Sequence, residues 1–506
     1  MAKLHEYQSK ALLKQVGINL PKSQLVTDAE SAREVAQALG AVVIKAQVWT
    51  TSRAAQGLIQ FANTPDEAEK IAHDLLGREV GNFIIEELLI EEQISIQQEM
   101  YIGMILDDKV RAPVMIFSSV GGSGIEDIAL EHPNSIARQA IDIQTGLQDY
   151  QARNLILETG IDRKWLHKLA SVMLKFYKLV RKYEARSAEI NPLVITSSGD
   201  LMALDARITV DDYAVFRHGD LGIDMAREFD RPPTELEKIA WAVEKGDYRG
   251  TFYFIQMEQG FKKGEGVIGF HGAGGGGSMM NMDALINANF KIANFVDTSG
   301  NPPASKVYRA ARIILSQEGI DGYYAGGSGV ASQEQIYSAR GLVKAFIDAQ
   351  LNVPAVIRIG GNGEDEAIKV LEQANGEFPA PVKAYGRDAS PDSCTDVLQD
   401  LIEHYIPVQN IPIREVKAAS DPYTFETVTG GTVTLDHAIC RDCESKICIT
   451  ACAPQILSLE NDVPVLNITQ DTAKKGGCTE CLGCEVTCYF QGRGGGNVHL
   501  PIEGLD

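Results

Sequence analysis

Eight of the nine cysteines in this 506-residue chain stand in two short runs near its C-terminus. The first run has the spacing C-x2-C-x4-C-x3-C and comprises Cys440, Cys443, Cys448 and Cys452. The second has the spacing C-x2-C-x2-C-x3-C and comprises Cys478, Cys481, Cys484 and Cys488. The first twenty residues contain neither a continuous apolar stretch nor a small-residue cleavage site, which predicts a cytoplasmic protein. Because that compartment keeps thiols reduced, the clustered cysteines indicate metal ligands and not disulfides.

The two runs resemble those of bacterial ferredoxins with two 4Fe–4S clusters, where the fourth cysteine of each run binds the other run's cluster. The resemblance implies one cluster on Cys440, Cys443, Cys448 and Cys488, and a second on Cys478, Cys481, Cys484 and Cys452. The x4 gap and the motif "GCTECLGC" resemble, more narrowly, small ferredoxin-like proteins that work beside electron-transfer-flavoprotein dehydrogenases. A pair of structural zinc sites is the alternative, since these also use sets of four cysteines. Cys394 lies outside both runs and is expected to be a lone helical thiol.

The overall composition excludes two classes of partner. The formal net charge is −21, which argues against nucleic acid because binding to its phosphates needs clustered Lys and Arg. No stretch of eighteen apolar residues occurs, so no membrane span is expected. A length of 506 residues predicts about three domains.

The first 235 residues alternate short apolar runs with helical patterns and predict a mixed α/β domain. Near its end, "EINPLVITSSGDLMALDARI" contains two strand-like runs joined by the turn residues "SSGD", which predict a hairpin. The hairpin brings Glu189 and Asn191 on one arm towards Asp205 on the other. Oxygen ligands of this kind suit Mg²⁺, although a solvated strand end explains the same residues.

Residues 265–405 alternate strand and helix patterns regularly, which predicts a parallel, doubly wound sheet. The first turn of this region carries Gly272, Gly274 and Gly277 in the pattern GxGxxG, and Asp297 follows twenty residues later at a strand end. This pattern is also the dinucleotide-binding fingerprint, so an NAD-binding redox protein is a second hypothesis.

Several segments together resemble the β subunit of succinyl-CoA synthetase and related nucleoside-diphosphate-forming acid–CoA ligases. They include "LHEYQSKALLKQVGINLP", "VVIKAQV", "SAEINPLVITSSGDLMALDARI", "NFVDTSGNPPASKVYRAARIILS" and "VPAVIRIGGN". The resemblance covers about residues 1–405 and implies an α/β fold. The implied plan is an ATP-grasp domain over 1–240, a flavodoxin-like doubly wound CoA-ligase domain over 241–406, a linker over 407–430 and a small α+β ferredoxin-like domain over 431–506.

The resemblance also implies roles for individual residues. Asn191 and Asp205 match the family's Mg²⁺ ligands, and Glu189 matches an acid that helps to hold the phosphohistidine of a partner subunit. The nucleotide contacts would be made by Lys45, Arg53, Ile90, Glu91 and Glu99. His271, Gly327, Ser328 and Gly329 match the positions that contact the acid substrate.

Two departures from the family pattern bear on these roles. The glycine-rich loop "AGGRGKAGG" is replaced by "TTSRAAQGL", which keeps Arg53 but loses glycines that let backbone N–H groups approach phosphates. His271 stands where succinate ligases carry Asn, and Gly327-Ser328-Gly329 stands where they carry Gly-Ile-Val, so an acid other than succinate is expected. A buried, hydrogen-bonded loop histidine is the alternative role for His271.

The chain lacks a second half with the phosphorylated histidine and the CoA site, so the resemblance implies a hetero-oligomer with an α-type subunit that supplies both. The implied reaction passes phosphate from ATP to that histidine, then to the acid, before CoA displaces it. The fused cysteine region would dock a redox partner such as an electron-transfer flavoprotein, or would have a structural or regulatory role. The alternative function is an electron-transfer iron–sulfur protein on a ligase-like scaffold that has lost ATP chemistry.

Overall fold

The computed structural model describes residues 2–50, 53–122, 129–223, 231–247, 251–332, 334–406, 408, 411 and 418–505. The chain divides into two compact units, Met1–Pro232 and Pro233–Asp506. No helix in these described ranges combines the length and the apolar character needed to cross a lipid bilayer.

The first unit contains two main antiparallel sheets. Its strands are β1 (Ala2–Lys3), β2 (Ser23–Val26), β3 (Val42–Ala46), β4 (Ile59–Ala62), β5 (Glu79–Val80), β6 (Phe83–Ile84), β7 (Leu88–Glu92), β8 (Ile96–Asp107), β9 (Ala112–Ser118), β10 (Ile136–Ala140), β11 (Ala185–Thr196), β12 (Leu201–Ala203) and β13 (Ala206–Val210). The smaller sheet has the order β2-β7-β3-β4, and the larger has the order β1-β13-β11-β8-β9-β10 with β12 paired to β11. Residues 93–95 connect β7 to β8 and therefore cross from one sheet to the other.

Five α-helices cover these sheets within the described residues. They are α1 (Glu6–Gln15), α2 (Ala29–Leu39), α3 (Pro65–Leu75), α4 (Asp149–Glu158) and α5 (Leu166–Lys182). Local sequence explains where α3 begins, because the Thr64 side chain accepts a hydrogen bond from the Glu67 amide at 3.2 Å and Pro65 occupies the first helical position. Buried aliphatic residues of α5 pack on the larger sheet, as its apolar periodicity predicts.

The second unit is built on a six-stranded sheet in the order β14-β16-β15-β17-β18-β19. Its strands are β14 (Tyr253–Gln256), β15 (Val267–Ala273), β16 (Lys291–Asp297), β17 (Gly322–Gly327), β18 (Ala355–Arg358) and β19 (Val382–Tyr385). The last five are parallel, and β14 pairs antiparallel with β16 at the edge. The associated helices are α6 (Glu235–Lys245), α7 (Gly275–Asn287), α8 (Ala304–Leu315), α9 (Ile336–Asp348), α10 (Glu364–Gln373) and α11 (Pro391–His404).

The cysteine-rich end belongs to the same compact unit as this sheet. It adds a three-stranded sheet β20-β21-β24 and a hairpin β22-β23. The elements are β20 (Pro422–Glu426), β21 (Thr432–Asp436), α12 (His437–Arg441), α13 (Ile447–Ala451), β22 (Leu457–Glu460), β23 (Val463–Leu466), α14 (Gln470–Thr472), α15 (Cys488–Gln491) and β24 (Gly496–His499). It shares one apolar core with the parallel-sheet domain, and Lys344 of α9 lies 3.0 Å from Glu485, so this region packs directly on that domain.

The alternation of strands and helices that the sequence predicts for residues 265–405 is confirmed, and so is the hairpin, in which Leu193 of β11 pairs with Ala203 of β12. The boundaries differ in detail. The first unit ends near Pro232 rather than at residue 240, because α6 packs against β14 of the second unit. Within the predicted linker 407–430, residues 407, 409, 410 and 412–417 lie outside the described residues, and Pro422–Glu426 forms β20. Cys394 is buried in α11, as expected for a lone helical thiol.

Candidate functional site

The first unit contains a cleft of about 950 Å³ beside the crossover between its two sheets. Most of the residues predicted to bind nucleotide and metal lie on its wall. They are Lys45, Arg53, Glu91, Glu99, Glu189, Asn191 and Asp205. Gln93 and Ile94 of the crossover also line the cleft, and the sequence analysis missed them because nothing in the local pattern fixes where one sheet ends and the next begins.

Ile90 is the predicted nucleotide contact that does not line the cleft. Its side chain is fully buried in the apolar core of the smaller sheet. Its backbone belongs to β7, which pairs with β2 on one side and β3 on the other. The connection between the two sheets is formed by residues 93–95.

Lys45 is the penultimate residue of β3 and is buried in the wall of the cleft. Its ammonium group donates to Glu6 Oε1 at 2.8 Å and to the Leu204 carbonyl at 2.6 Å, and lies 2.6 Å from Glu91 Oε2. Lys10 bridges the same two acids, with its Nζ 2.7 Å from Glu6 and 2.5 Å from Glu91. The ammonium group of Lys45 is therefore neutralised by carboxylates from two different elements.

Arg53 connects this group to the predicted metal ligand. Its Nη2 donates to Glu6 Oε2 at 2.6 Å and to Asp205 Oδ2 at 2.8 Å, and its Nη1 donates to the Ala46 carbonyl at 3.1 Å. We refer to the six side chains as the buried charge network; they are Glu6, Lys10, Lys45, Arg53, Glu91 and Asp205. Three cations and three acids give it no net charge. Thr51 and Ser52 of the altered loop before Arg53 lie outside the described residues.

Electrostatics within the network favour the charged forms of Glu6, Lys45 and Arg53. Burial opposes ionisation of Glu6, but the attraction of Lys10, Lys45 and Arg53 outweighs burial and holds the pKa of Glu6 well below its usual range. Burial likewise opposes the charge on Lys45 and Arg53, but the carboxylates raise the pKa of both above their usual values. Asp205 differs, because burial and the nearby Glu6 raise its pKa.

The predicted Mg²⁺ ligands meet where β11 and β13 approach each other. The Asn191 amide N–H donates to the Asp205 carbonyl at 3.2 Å, and the Asn191 side-chain oxygen accepts from the Gly122 amide at 3.0 Å. Asp205 Oδ1 is buried and has no hydrogen-bond partner among the described residues. A buried carboxylate oxygen costs free energy unless it is satisfied, so a cation beside Asp205 fits the residues present.

Glu99 and Glu189 complete the acidic wall of the cleft. Glu189 Oε2 accepts a hydrogen bond from the Tyr101 hydroxyl at 3.2 Å. The carboxylate of Glu99 lies against Gly122, where an added Cβ would come within 2.2 Å of Glu99 Oε2. Both side chains are only partly buried, which leaves them accessible from the cleft.

A second cavity lies at the carboxyl ends of β15, β17 and β18 in the second unit, where parallel α/β sheets bind ligands. It offers about 50 Å³ of room, and its wall includes the predicted acid-contacting residues His271, Gly327, Ser328 and Gly329. His271 Nδ1 lies 2.6 Å from the Tyr323 hydroxyl. Burial lowers the pKa of His271 to about 3, so the imidazole is neutral at neutral pH.

Arg358 borders the same cavity and fixes the 327–329 loop. Its guanidinium donates to the carbonyls of Gly327 at 2.8 Å, Arg387 at 3.1 Å and Ala389 at 2.7 Å. A cation held beside a narrow, partly apolar cavity suits a small anionic ligand. The sequence analysis did not single out Arg358, because an arginine at a strand end gives no local signal.

Packing explains the GxGxxG pattern without a dinucleotide. A Cβ on Gly277 would come within 2.2 Å of the Ser328 amide nitrogen, so this glycine lets α7 approach the 327–329 loop. Gly274 adopts a positive φ of 84° that favours glycine. Asp297 Oδ1 accepts from the amides of Gly274 at 2.9 Å and Ser299 at 2.8 Å, which uses the acid to hold the turn.

The eight clustered cysteines separate into two spatial groups, each drawn from both runs. Cys440, Cys443, Cys448 and Cys488 line one cavity together with the apolar side chains of Ile439, Ile447 and Pro464. Electrostatic interactions join the other group, which consists of Cys452, Cys478, Cys481 and Cys484. We call these the first and second cysteine groups. No set of three or more His, Cys, Asp or Glu side chains in the described ranges is arranged to hold a single metal ion.

Most of these thiols resist ionisation unless a cation compensates them. Burial, reinforced by repulsion from neighbouring thiolates, raises the pKa of Cys440 to about 12 and of Cys448 to about 11. In the second group the same causes raise the pKa of Cys478, and of Cys484 more strongly. Cys443 is the exception, since hydrogen bonds from Ser445 and backbone amides outweigh its burial and lower its pKa.

Comparison with known proteins agrees with this architecture. Residues 3–195 match the family model described as an ATP-grasp domain. The chain is 35% identical over 373 residues, or 73% of its length, to the succinate–CoA ligase (ADP-forming) subunit beta 2 of Archaeoglobus fulgidus, of which it covers 92%. It is 34% identical over 371 residues to the succinate–CoA ligase (GDP-forming) subunit beta of Thermus thermophilus, of which it covers 93%.

A solved structure shares the fold over a similar extent. The ATP citrate lyase of Methanothrix soehngenii, solved in complex with citrate and coenzyme A, superposes with a TM-score of 0.65 at 16% identity, covering 79% of this chain and 99% of that one. Taken together, the chain is an ATP-grasp enzyme subunit of the ligase class. More particularly, it belongs to the succinate–CoA ligase β subunit family.

Proposed function

We propose that this chain is the β-type subunit of an ADP-forming acid–CoA ligase that activates a small carboxylic acid other than succinate. The observation that carries the proposal is the convergence of Lys45, Arg53, Glu189, Asn191 and Asp205 on one cleft in a chain of this family. A separate α-type subunit supplies the phosphohistidine and most of the CoA site, as the resemblance to the family implies. The complex is a cytoplasmic hetero-oligomer.

The nucleotide lies in the cleft of the first unit, with Lys45, Arg53 and Glu99 as its charged contacts and with Gln93 and Ile94 beside the base and ribose. Phosphoryl transfer depends mainly on positioning and on stabilising negative charge, which suits two cations held at fixed distances. ATP binding draws Lys45 and Arg53 partly away from Glu6 and Glu91, because the phosphates compete for the same donors.

Asp205 and Asn191 hold Mg²⁺, supported by the buried, unsatisfied Oδ1 of Asp205 and by the side-chain oxygen of Asn191 at the same edge of the cleft. When bound, the metal neutralises charge on the nucleotide phosphates. A cation bound there would oppose the effect of burial on the pKa of Asp205. Glu189 holds the partner's phosphohistidine, oriented by the hydrogen bond from Tyr101.

The second unit binds the acid. Its strand order, β16-β15-β17-β18-β19, supports a flavodoxin-like domain with its ligand at the carboxyl ends of the strands. Neutral His271, Ser328 and the backbone of Gly327 and Gly329 contact the substrate, and the guanidinium of Arg358 attracts its carboxylate. The buried imidazole replaces the amide found in succinate ligases, so a different acid fits best.

Residues 431–506 form a ferredoxin-like module with two 4Fe–4S clusters, one on each cysteine group. The arrangement of the first group around a shared cavity supports this assignment, because the cysteines of such a cluster bind different irons and surround it. A structural zinc site would instead require four sulfurs that converge on one ion. Clusters held by these cysteines would supply electron transfer to a redox partner such as an electron-transfer flavoprotein.

The second candidate function is an electron-transfer protein on a ligase-like scaffold without ATP chemistry. The observation that favours it is that both phosphate-binding cations already pair with internal acids, while the usual glycine-rich loop is absent. Nucleotide titration separates the two functions, since only the ligase should show saturable ATP binding.

The deciding experiment is anaerobic turnover of the chain purified with its co-isolated partner. We expect ADP release that requires ATP, Mg²⁺, CoA and one member of a panel of small mono- and dicarboxylic acids, measured with and without dithionite. Lys45→Met should abolish it, and Lys70→Met, which replaces an exposed lysine on α3, should not. No turnover with any acid, together with no saturable ATP binding, would reject the ligase function.

A further inference from the structure

A buried ion pair connects the loop of the second cysteine group to the ligase domain. Glu485 follows Cys484 directly in the sequence and is fully buried. Lys344 of α9 is also buried, and its ammonium group donates to Glu485 Oε1 at 3.0 Å. The same ammonium group lies 3.1 Å from Asp348 Oδ2 on its own helix, so Glu485 is the partner through which Lys344 joins α9 to the cysteine loop. Loss of one partner of a buried pair is strongly destabilising, so the pair fixes where the loop meets the helix.

Two further cations of the ligase domain hold the same loop. Arg340, also on α9, donates to the Thr487 hydroxyl at 3.3 Å, and its guanidinium packs against Gly483. Glu480, between Cys478 and Cys481, lies 3.9 Å from Arg309 of α8 and accepts at 2.6 Å from the Thr427 hydroxyl. The second group is therefore bound to the ligase domain at several points by charged and polar side chains that are buried.

The opposite face of α9 forms part of the acid cavity. Ser338 and Leu342 line that cavity, whereas Arg340 and Lys344 each lie two residues further along the helix. At 3.6 residues per turn, a step of two residues reaches the other side of a helix. α9 thus borders the acid cavity with one face and contacts the loop of the second cysteine group with the other.

An aromatic contact connects α9, through Tyr323, to His271 in the wall of the acid cavity. The ring of Phe346 meets the ring of Tyr323 edge-on, with centroids 5.2 Å apart. The Tyr323 hydroxyl is in turn 2.6 Å from His271 Nδ1. A displacement of α9 would therefore move a cavity wall and the group that orients His271 together.

We propose that Lys344 and Glu485 are positioning residues for the acid site. Their ion pair makes the position of α9 depend on the loop that carries the second cysteine group. This rests on the proposed function of the acid cavity. When the loop between Cys478 and Cys488 is ordered around the cluster proposed for the second cysteine group, the ion pair of Lys344 and Glu485 holds α9 against the sheet. When the loop is released, α9 loses this support, and the acid cavity loosens while the nucleotide cleft of the first unit does not.

The test measures amide hydrogen exchange in the anaerobically purified complex with its co-isolated partner, for the wild type and for Glu485→Gln. We expect exchange across Ile336–Asp348 to rise about fivefold or more in the variant, at the lower end of typical coupling between linked sites. The KM for the acid should rise severalfold, whereas the KM for ATP stays unchanged, a split that a general loss of stability would not give. Lys344→Arg, which keeps the charge, should behave as the wild type.

The matched control is Lys446→Met, because Lys446 holds the loop of the first cysteine group instead. Its ammonium group donates to the carbonyls of Cys440 and Asp462, both at 2.7 Å. We expect this variant to leave exchange in α9 and the KM for the acid unchanged. Equal exchange in α9 for the wild type and Glu485→Gln would overturn the proposal, as would an equal effect of Lys446→Met. If no acid supports ADP formation, the proposed ligase function fails separately, and the exchange result still decides whether the pair holds α9.

Discussion

Replacing Glu6 with Gln is expected to destabilise the first unit by about 3 kcal/mol, near the lower end for breaking a buried ion pair. Glu6 lies within 2.8 Å of three cations, with Lys10 at 2.7 Å, Lys45 at 2.8 Å and Arg53 at 2.6 Å. The variant keeps the shape and one acceptor oxygen but leaves the buried charge network with an uncompensated positive charge. A loss of about 3 kcal/mol lowers the ratio of folded to unfolded protein roughly 150-fold.

Urea unfolding followed by tryptophan fluorescence measures this change. Trp49 stacks on His5, the neighbour of Glu6, with ring centroids 4.5 Å apart, so its emission reports on this part of the first unit. With a dependence of about 2–3 kcal/mol per molar urea, the midpoint should fall by about 1–1.5 M. Glu30→Gln is the matched control, because Glu30 also occupies the first turn of a helix but is exposed.

The pH dependence of the difference in stability between the wild type and Glu6→Gln tests this account of the buried charge network. The pKa of Glu6 is held well below its value of 4.5 in the unfolded chain, so its contribution is complete above about pH 4.5 and is lost as the pH falls through the folded-state pKa. The difference between the wild type and Glu6→Gln should therefore be largest at neutral pH and shrink in strong acid. A midpoint unchanged at pH 7, or a difference that grows on acidification, would refute the account of the network.

Three further predictions concern other parts of the molecule. Burial, and to a lesser extent the charge of Arg53, lowers the pKa of His5 from 6.5 to about 4, so on acidification His5 is protonated in the unfolded chain before it is protonated in the folded one. The stability of the first unit should therefore fall as the pH drops from about 6.5 to 4. His5→Asn should reduce this pH dependence, as measured by urea titrations at several pH values. Gly277→Ala should cost about 1–3 kcal/mol in thermal unfolding, because its Cβ would meet a backbone nitrogen at 2.2 Å, whereas Gly276→Ala meets nothing within 4 Å and should not. Iron analysis of the anaerobically purified protein should give about eight irons per chain. Cys452→Ser should lower this to about four, whereas Cys394→Ser should leave it unchanged. Equal losses of iron in both variants would contradict the grouping of the cysteines.

The elements of the fold were predictable where the pattern is local. Strand and helix alternation from Val267 to Tyr385 follows from short apolar runs between amphipathic segments, and the hairpin after Ile195 follows from its turn residues. The edge strand β14 was not predictable, because four residues that pair antiparallel with β16 carry no signal of their partner. The position of the crossover at residues 93–95 was not predictable for the same reason, since it depends on which strands pair.

The site was predictable in its residue types but not in its internal pairing. Motif matching singled out Lys45, Arg53 and Asp205, and they meet in one cleft. Glu6 and Lys10 were missed because they stand about forty residues before Lys45, on a helix whose sequence reads as an ordinary amphipathic surface. Only tertiary packing shows that the acid of α1 neutralises the cations of the cleft.

The pairing of Lys45 and Arg53 with buried acids affects how the cleft can bind ligands. A buried network with no net charge is stable without ligand, so neither Lys45 nor Arg53 depends on nucleotide for its position. In the proposed function, a bound polyphosphate would compete with Glu6, Glu91 and Asp205 for Lys45 and Arg53, and the carboxylate released at Asp205 would become available to a divalent cation. Because each exchange leaves a buried charge unless the other also occurs, nucleotide and metal should bind together far more tightly than either alone. The loss of glycines beside Arg53 should strengthen this linkage, since the backbone amides of the altered loop approach phosphates less readily without the metal.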